Sequence, residues 1–176
     1  PELRSVLWVQ GCPFRCAGCF NPDFLPFAGS REVATRDVAD WMLTESETEG
    51  VTFSGGEPFA QAGALARVAE RVRAAGKGVL VFTGYDAIAL RSSRRFRRLL
   101  QAADLLVAGR YRSEMPGRHP LLASANQELV LLTERYRGAD FGGRRRTEFR
   151  IGASGAITVS GFPDAPWGLG ANEAAG

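Results

Sequence analysis

The sequence predicts an α/β protein built as a partial (β/α) barrel of parallel strands. Short apolar runs rich in β-branched residues recur between Val6 and Ala108, and segments with apolar residues at helical spacing lie between them. Glycine-rich or turn-rich stretches follow the apolar runs. Because strand–helix alternation of this kind requires a parallel sheet with right-handed crossovers, we expect candidate site residues at the carboxyl ends of the strands.

The strands and helices of the barrel can be placed from these patterns. Thr35 is expected to cap a helix that contributes Trp41 and Met42 to the core, and Gly76 to end the helix after the second strand. A basic helix from Ile88 is expected to return towards Asp104. The expected strands are residues 6–9, 51–54, 79–82 and 105–108, followed by the apolar run 129–132.

The C-terminal part of the chain has a different pattern. Residues 149–151 and 156–159 flank the turn-forming sequence Gly-Ala-Ser-Gly at 152–155, which predicts a β-hairpin. The tail from about residue 161 is rich in glycine, proline and alanine and is expected to be irregular. At 176 residues the chain is expected to form a single domain over 1–176.

The most informative stretch follows the first strand, where all three cysteines of the chain, Cys12, Cys16 and Cys19, occur in a C-x3-C-x2-C pattern. The glycine, proline and asparagine around them suit a loop that wraps around a bound group. Thiolates favour zinc and iron–sulfur clusters, and a 4Fe-4S cluster normally takes four of them. Three thiolates would leave one iron open to a small molecule, which favours chemistry at the cluster.

Other interpretations of the cysteines stay open. A structural zinc site needs four ligands, and the single histidine, His119, lies far downstream. Three buried core cysteines would not need this spacing. A disulfide would leave one thiol over and would require an oxidising compartment.

A second candidate stretch, Gly55-Gly56-Glu57-Pro58, follows the second strand. Paired glycines let the backbone approach a ligand, a glutamate can accept hydrogen bonds from an ammonium group, and proline suits a first helical turn. On its own this stretch could be only a strand-to-helix turn.

Composition narrows the class of protein. The chain is 45% hydrophobic and 23% charged with a net charge of +3, which is typical of a globular domain and does not indicate nucleic-acid binding. It has no apolar run of membrane-spanning length and no signal-peptide pattern, so we expect a cytoplasmic protein without membrane association.

Taken together, the motifs resemble the radical S-adenosylmethionine (SAM) superfamily, and are most similar to the small activating enzymes of anaerobic ribonucleotide reductase, relatives of the pyruvate formate-lyase activating enzyme. The resemblance implies a radical SAM core. It also implies that the family's N-terminal strand is missing from this sequence. It implies that Cys12, Cys16 and Cys19 bind a 4Fe-4S cluster and that SAM binds at Gly55, Gly56, Glu57, Pro58, Thr83 and Asn126. No side chain is assigned as a catalytic residue.

The resemblance also implies an activity. A flavodoxin or ferredoxin would supply an electron, SAM would be cleaved reductively to a 5'-deoxyadenosyl radical, and that radical would abstract a hydrogen atom, most simply from a glycine of a partner enzyme. Two positions depart from the family. Its Asp-Gly after the fourth strand is Ala108-Gly109, and its Ser-Ser-Asn-Gln is Ser124-Ala125-Asn126-Gln127. These departures leave open a small radical SAM enzyme acting on a metabolite or peptide, and a metal-stabilised binding module is the non-enzymatic alternative.

Overall fold

The structure is a computed structural model that describes residues 3–141 and two further strands, Thr147–Ile151 and Ile157–Gly161. The chain divides into two compact units, Pro1–Phe141 and Gly142–Gly176. A single domain over residues 1–176 stays a prediction.

The first unit alternates strands and helices, which confirms the α/β class. Short 3-10 helices lie at Pro22–Phe24, Pro58–Gln61 and Glu134–Tyr136. The longer elements, in chain order, are β1 (Arg4–Val9), α1 (Thr35–Thr44), β2 (Gly50–Gly55), α2 (Ala62–Ala74), β3 (Gly78–Thr83), α3 (Ala87–Ser92), α4 (Arg97–Ala102), β4 (Leu105–Ala108) and β5 (Glu128–Leu131).

The five strands form one sheet in the order β1-β2-β3-β4-β5. The first three pairings are parallel, and their register sets Val9 opposite Gly55 and Thr83 opposite Ala108. The carboxyl ends of β1 to β4 therefore meet at one edge of the sheet, as the sequence predicts. Closure of this sheet into a partial barrel stays a prediction.

The fifth strand differs from the expected all-parallel arrangement, because β5 pairs antiparallel with β4. The intervening residues, 109–127, run as turns and bends with an isolated bridge between Pro116 and Ser124, and contribute no crossover helix. The chain therefore re-enters the sheet at the same end at which β4 finishes. For this reason β5 runs in the opposite direction to β4.

One face of the sheet carries the main hydrophobic core. Fully buried side chains such as Phe53 and Val81 point to this face and pack with residues of α1, α2 and α4. Met42 of α1 is fully buried there, as predicted. The prediction for Trp41 is wrong, since its side chain is 53% exposed on the solvent side of the same helix.

The predicted basic helix between Ile88 and Asp104 is two short helices in the structure. Asp86 caps α3 by accepting a hydrogen bond from the Ala89 N–H at 2.7 Å, and the helix stops at Ser93, whose backbone is extended. Ile88 is 80% exposed, so it does not belong to the core as its spacing suggested.

The opposite face of the sheet is covered unevenly. A second hydrophobic cluster centred on Leu80, Leu105 and Tyr136 covers β3 to β5. On β1, by contrast, Val6 is 40% and Trp8 is 48% exposed. This face is therefore open to solvent at its β1 side, within the described unit.

The amino-terminal ends of the strands are held by buried polar contacts. Arg4 pairs with Glu49, and its Nε–H donates to the Thr52 hydroxyl at 2.9 Å. The Tyr136 hydroxyl donates to the same Glu49 carboxylate at 2.7 Å, and burial raises the pKa of Tyr136 to about 12. These polar side chains satisfy one another, so this end of the sheet is structural in character.

In the second unit, β6 (Thr147–Ile151) pairs antiparallel with β7 (Ile157–Gly161). The turn of the predicted hairpin, residues 152–155, lies outside the described residues, so the hairpin stays a prediction. The tail beyond residue 161 also lies outside them. Among the described residues, no helix has the length and apolar character needed to cross a bilayer.

Candidate functional site

The cysteine loop leaves the sheet at the carboxyl end of β1. Gly11, Arg15 and Gly18 have positive φ angles of 95°, 47° and 67°, which turn the chain sharply around the cysteines. The loop is closed at its base, where the Gly11 N–H donates to the Phe24 carbonyl at 2.8 Å and the Cys12 N–H donates to the Leu25 carbonyl at 3.0 Å. We name residues 11–25 the cysteine loop.

All three thiols of this loop are free and partly exposed. Burial raises the pKa of Cys12, although the N–H groups of Phe14 and Arg15 oppose this by favouring its thiolate. The Cys19 sulfur accepts a hydrogen bond from the Asn21 N–H at 3.4 Å. No cysteine is consumed by a disulfide, so three soft ligands are available.

The described part of the chain holds no group of three cysteine, histidine or acidic side chains arranged to bind a single metal ion. The cysteines therefore share a loop without meeting at a common point. A 4Fe-4S cluster takes one thiolate per iron, so its ligands occupy separate corners. The donor set, three free thiols on one strongly turned loop, fits three of the four irons of such a cluster in chemical type and leaves one iron open.

The second predicted stretch is joined directly to the cysteine loop. The Gly56 N–H donates to the Val9 carbonyl at 2.7 Å, and the Glu57 N–H donates to the Gly11 carbonyl at 2.8 Å. A Cβ atom on Gly56 would lie 2.4 Å from the Gly11 carbonyl oxygen, so only glycine permits this approach. The two stretches that the sequence singled out thus meet at the ends of β1 and β2.

Glu57 is buried beneath this junction, with 1% of its surface exposed. Its Oε1 accepts hydrogen bonds from the Phe59 N–H at 2.8 Å and the Thr83 hydroxyl at 2.9 Å, and its Oε2 accepts one from the Gly84 N–H at 2.8 Å. Burial raises the pKa of Glu57 to about 7, against the opposing effect of these three donors. The carboxylate therefore links the end of β2 to the end of β3, and a contact from it to an ammonium group stays a prediction.

The other predicted SAM contacts also have protein partners. The buried Thr83 hydroxyl donates to Glu57 and accepts from the Tyr85 N–H at 3.1 Å. Pro58 is buried at the start of a 3-10 helix. Asn126 is exposed, and its Nδ2–H donates to the Arg110 carbonyl at 2.8 Å. For these residues too, cofactor binding stays a prediction.

Aromatic contacts, which the sequence does not predict, hold the cysteine loop over the ends of β3 and β4. The Phe14 ring lies against Gly84 and meets the Tyr85 ring edge-on, with centroids 4.7 Å apart. The Phe20 ring packs on Tyr111 at 4.8 Å. An aromatic residue beside a cysteine was a visible signal, but its partner depends on the order of the strands.

A surface groove of about 450 Å³ lies away from these residues. It is lined by Arg91, Arg97, Leu100, Gln101, Ala103, Leu132 and Thr133. None of the predicted site residues lines it, so the junction of the two stretches, and not this groove, is the candidate site.

Comparison with known proteins identifies the family of this chain. The family model described as "4Fe-4S single cluster domain" matches residues 1–130. The anaerobic ribonucleoside-triphosphate reductase-activating protein of Vibrio cholerae is 31% identical over 143 residues, covering 76% of this chain and 90% of that protein. The protein of the same name from Pasteurella multocida is 28% identical over 142 residues, covering 74% of this chain and 89% of the relative.

A second group of relatives is longer. The pyruvate formate-lyase-activating enzyme of Staphylococcus epidermidis is 32% identical over 115 residues, which is 61% of this chain and 46% of that enzyme. The chain thus spans less than half the length of this relative, but most of the length of the reductase-activating proteins.

The matched residues 1–130 contain the cysteine loop, the glycine pair with Glu57, and the strand ends that bring them together. The chain therefore belongs to the 4Fe-4S single cluster domain family and, within the radical SAM superfamily, to the group of activating enzymes that includes these relatives, whose cofactors are a 4Fe-4S cluster and SAM.

Proposed function

We propose that this protein is the activating enzyme of a glycyl-radical enzyme, of the anaerobic ribonucleotide reductase type. The observation that carries the proposal is the direct backbone junction between Gly11 and the Gly56-Glu57 pair. It joins a three-thiol loop and a glycine-rich ligand-binding stretch at one edge of a parallel sheet. The coverage of 90% of the Vibrio cholerae activating protein supports the choice of subgroup.

In this proposal Cys12, Cys16 and Cys19 hold the 4Fe-4S cluster. SAM binds beside it at Gly55, Gly56, Glu57, Pro58, Thr83 and Asn126. When bound, the two cofactors would supply the radical chemistry, since an electron from the cluster would cleave SAM to methionine and a 5'-deoxyadenosyl radical that would take a hydrogen atom from the substrate. The chain's own residues orient both cofactors and exclude water, since the cofactors carry the radical chemistry.

A protein substrate is favoured by exposed apolar side chains around the cysteine loop. Trp8, Phe20 and Phe27 are 48%, 52% and 69% exposed. Phe20 lies in the loop, the Trp8 ring centroid is 5.8 Å from that of Phe24, and the Phe27 ring lies against Gly11, so all three border the loop, as on a surface that a protein partner covers. We infer that a glycyl-radical enzyme covers them, that a flavodoxin or ferredoxin supplies the electron, and that the protein works in the cytoplasm.

A second candidate is a small radical SAM enzyme that acts on a metabolite or peptide. It is favoured by Ala108, which is fully buried at the end of β4 where the resembled activating enzymes carry an aspartate. Loss of that carboxylate changes the polarity of the site and is compatible with a different substrate.

One experiment separates the two candidates. The anaerobically reconstituted, reduced protein is incubated with SAM and the candidate reductase, and the electron paramagnetic resonance spectrum is recorded. The proposal predicts the doublet of a glycyl radical on the reductase, lost in a variant with Cys16→Ala. Formation of 5'-deoxyadenosine only with a small molecule or peptide, and no radical on the reductase, would overturn the activating role in favour of the second candidate.

A further inference from the structure

We propose that residues 110–113, which follow β4, position the cysteine loop, and that Ser124, Asn126 and Gln127 act through this segment. We name residues 110–113 the clamp. The inference rests on the proposed function in one respect, namely that the cysteine loop holds the cluster. In this inference Asn126 helps to position the cysteine loop through Arg110, a role that does not require contact with SAM.

The clamp touches the cysteine loop at points spread along the cysteines. The Arg110 Nη2–H donates to the Phe14 carbonyl at 2.8 Å, and its guanidinium carbon lies 4.9 Å from the centroid of the Phe14 ring. Tyr111 packs on Phe20. Ser113 is the nearest neighbour of Gly18, where an added Cβ would stand 3.4 Å from the Ser113 Cβ. The contacts therefore fall between Cys12 and Cys16 and on both sides of Cys19.

The clamp is itself held by side chains of the Ser-x-Asn-Gln stretch. The Gln127 Nε2–H donates to the Gly109 carbonyl at 2.9 Å, and the Asn126 Nδ2–H donates to the Arg110 carbonyl at 2.8 Å. The fully buried Ser124 hydroxyl accepts from the Arg112 N–H at 3.1 Å. Three side chains thus bind backbone groups of Gly109, Arg110 and Arg112, at and just before the clamp.

The local geometry of this stretch is fixed in the same way. The Gln127 Oε1 accepts from the Ala123 N–H at 2.9 Å and from the Ser124 N–H at 3.1 Å. Gln127 therefore uses its Nε2 to tie the residue before β5 to the residue after β4, and its Oε1 to fix the turn at Ala123 and Ser124. The Ser-x-Asn-Gln side chains support the clamp, the clamp supports the loop, and each step is a direct hydrogen bond or ring contact.

The arrangement has an electrostatic consequence. Arg110 fixes a positive charge on a carbonyl of the loop that carries the cluster ligands. Charge and hydrogen bonding around a cluster set its reduction potential, and a nearby cation stabilises the more negative, reduced form. Arg110 is therefore expected to raise the midpoint potential as well as to hold Phe14.

The test uses the 176-residue chain, anaerobically reconstituted, with Arg110→Gln, Asn126→Leu and the double variant. Both positions are exposed, so the fold should tolerate these changes. Hydrogen exchange is measured in peptides covering residues 12–19, and the cluster's midpoint potential is measured by redox titration. Arg110→Lys keeps the charge and a donor, and Arg97→Gln removes an arginine that lines the distant groove instead.

We expect exchange in the cysteine loop to become about fivefold faster in Arg110→Gln and in Asn126→Leu, the factor for losing one net hydrogen bond. The double variant should show less than the product of the two effects, because both act through the same contact. The midpoint potential should fall in Arg110→Gln, stay near the wild-type value in Arg110→Lys, and be unchanged in Arg97→Gln.

If hydrogen exchange in the loop and the midpoint potential were both unchanged in the two single variants, the proposed positioning role of the clamp would be wrong. Unaltered loop exchange in Asn126→Leu, whatever its SAM affinity, would overturn the positioning role of Asn126 and leave SAM contact as its only role in the site. If the wild type bound no cluster, the proposed function would fail instead. Loop exchange in the cluster-free chain would still decide whether the clamp positions the loop.

Discussion

Glu57 has the most constrained environment of the predicted site residues. A carboxylate offers about four acceptor positions, and in Glu57 three of them receive donors from Phe59, Thr83 and Gly84. Buried acceptors of this kind contribute to stability chiefly because the donors would otherwise lose their partners. Glu57 therefore supports the site as well as being a candidate contact within it.

We predict that Glu57→Gln lowers the free energy of unfolding by about 1 to 3 kcal/mol. A glutamine can keep acceptors towards Phe59 and Thr83, but its amide NH2 would then face the Gly84 N–H, which is also a donor. Urea denaturation of the full chain measures the change, with the exposed Glu47→Ala as control.

If Glu57→Gln unfolds like the wild type but binds SAM more weakly, the structural role is wrong and the carboxylate acts only on the cofactor. Loss of both properties would agree with a buried link that also contacts the ammonium group.

Prediction from sequence succeeds at residue scale only where the signal is local. The spacing of Cys12, Cys16 and Cys19 within eight residues identifies them without a fold. The bonds of Glu57 to Thr83 and Gly84 join residues 26 and 27 positions apart and depend on β2 and β3 being neighbours. No pattern around Asn126 indicated that its amide is committed to the Arg110 carbonyl.

At the scale of elements, the site depends on how closely the ends of β1 and β2 approach. Gly55 has a φ of +96°, and a Cβ atom there would lie 2.6 Å from the Val9 nitrogen. A Cβ atom on Gly56 would lie 2.4 Å from the Gly11 carbonyl oxygen. Since these neighbours are backbone atoms, they cannot move aside without separating the strand end from the cysteine loop.

Two glycine substitutions test this dependence. Gly56→Ala is expected to destabilise the chain by several kcal/mol, on the order of 3 or more, and to impair cluster assembly, because the new methyl group collides with the Gly11 carbonyl. Gly63→Ala is the matched control, since it lies in α2 with no atom within 4 Å of the added Cβ. That change should be neutral or stabilise by up to about 1 kcal/mol.

Thermal unfolding and iron content report the two effects. Equal stability and equal iron content in both glycine variants would show that the close approach of β1 and β2 does not matter.

The strand directions illustrate what periodicity cannot encode. The alternation of strands and helices up to Ala108 predicts parallel pairing, and β1 to β4 pair in this way. The apolar run that forms β5 looks the same in sequence, yet it runs antiparallel because no helix intervenes after β4. Direction is a property of the connection and not of the strand.

For the whole molecule, the two ends of the sheet have different roles. The amino-terminal ends carry the satisfied contacts of Arg4, Glu49 and Tyr136, while the carboxyl ends carry the thiols, the glycine pair and the clamp. This difference between the two ends is expected of a parallel sheet, because loops at the carboxyl ends of the strands can vary without disturbing the core.

The claim that three cysteines hold a 4Fe-4S cluster with one open iron is tested most directly by Mössbauer spectroscopy. The chain is reconstituted with 57Fe, spectra are recorded with and without SAM, and iron, sulfide and zinc are counted. We predict about four irons and four sulfides per chain, and a changed isomer shift for one iron of the four when SAM is added, because three thiolates leave a single iron open. Stoichiometric zinc without iron, or a cluster whose irons are all indifferent to SAM, would contradict the account.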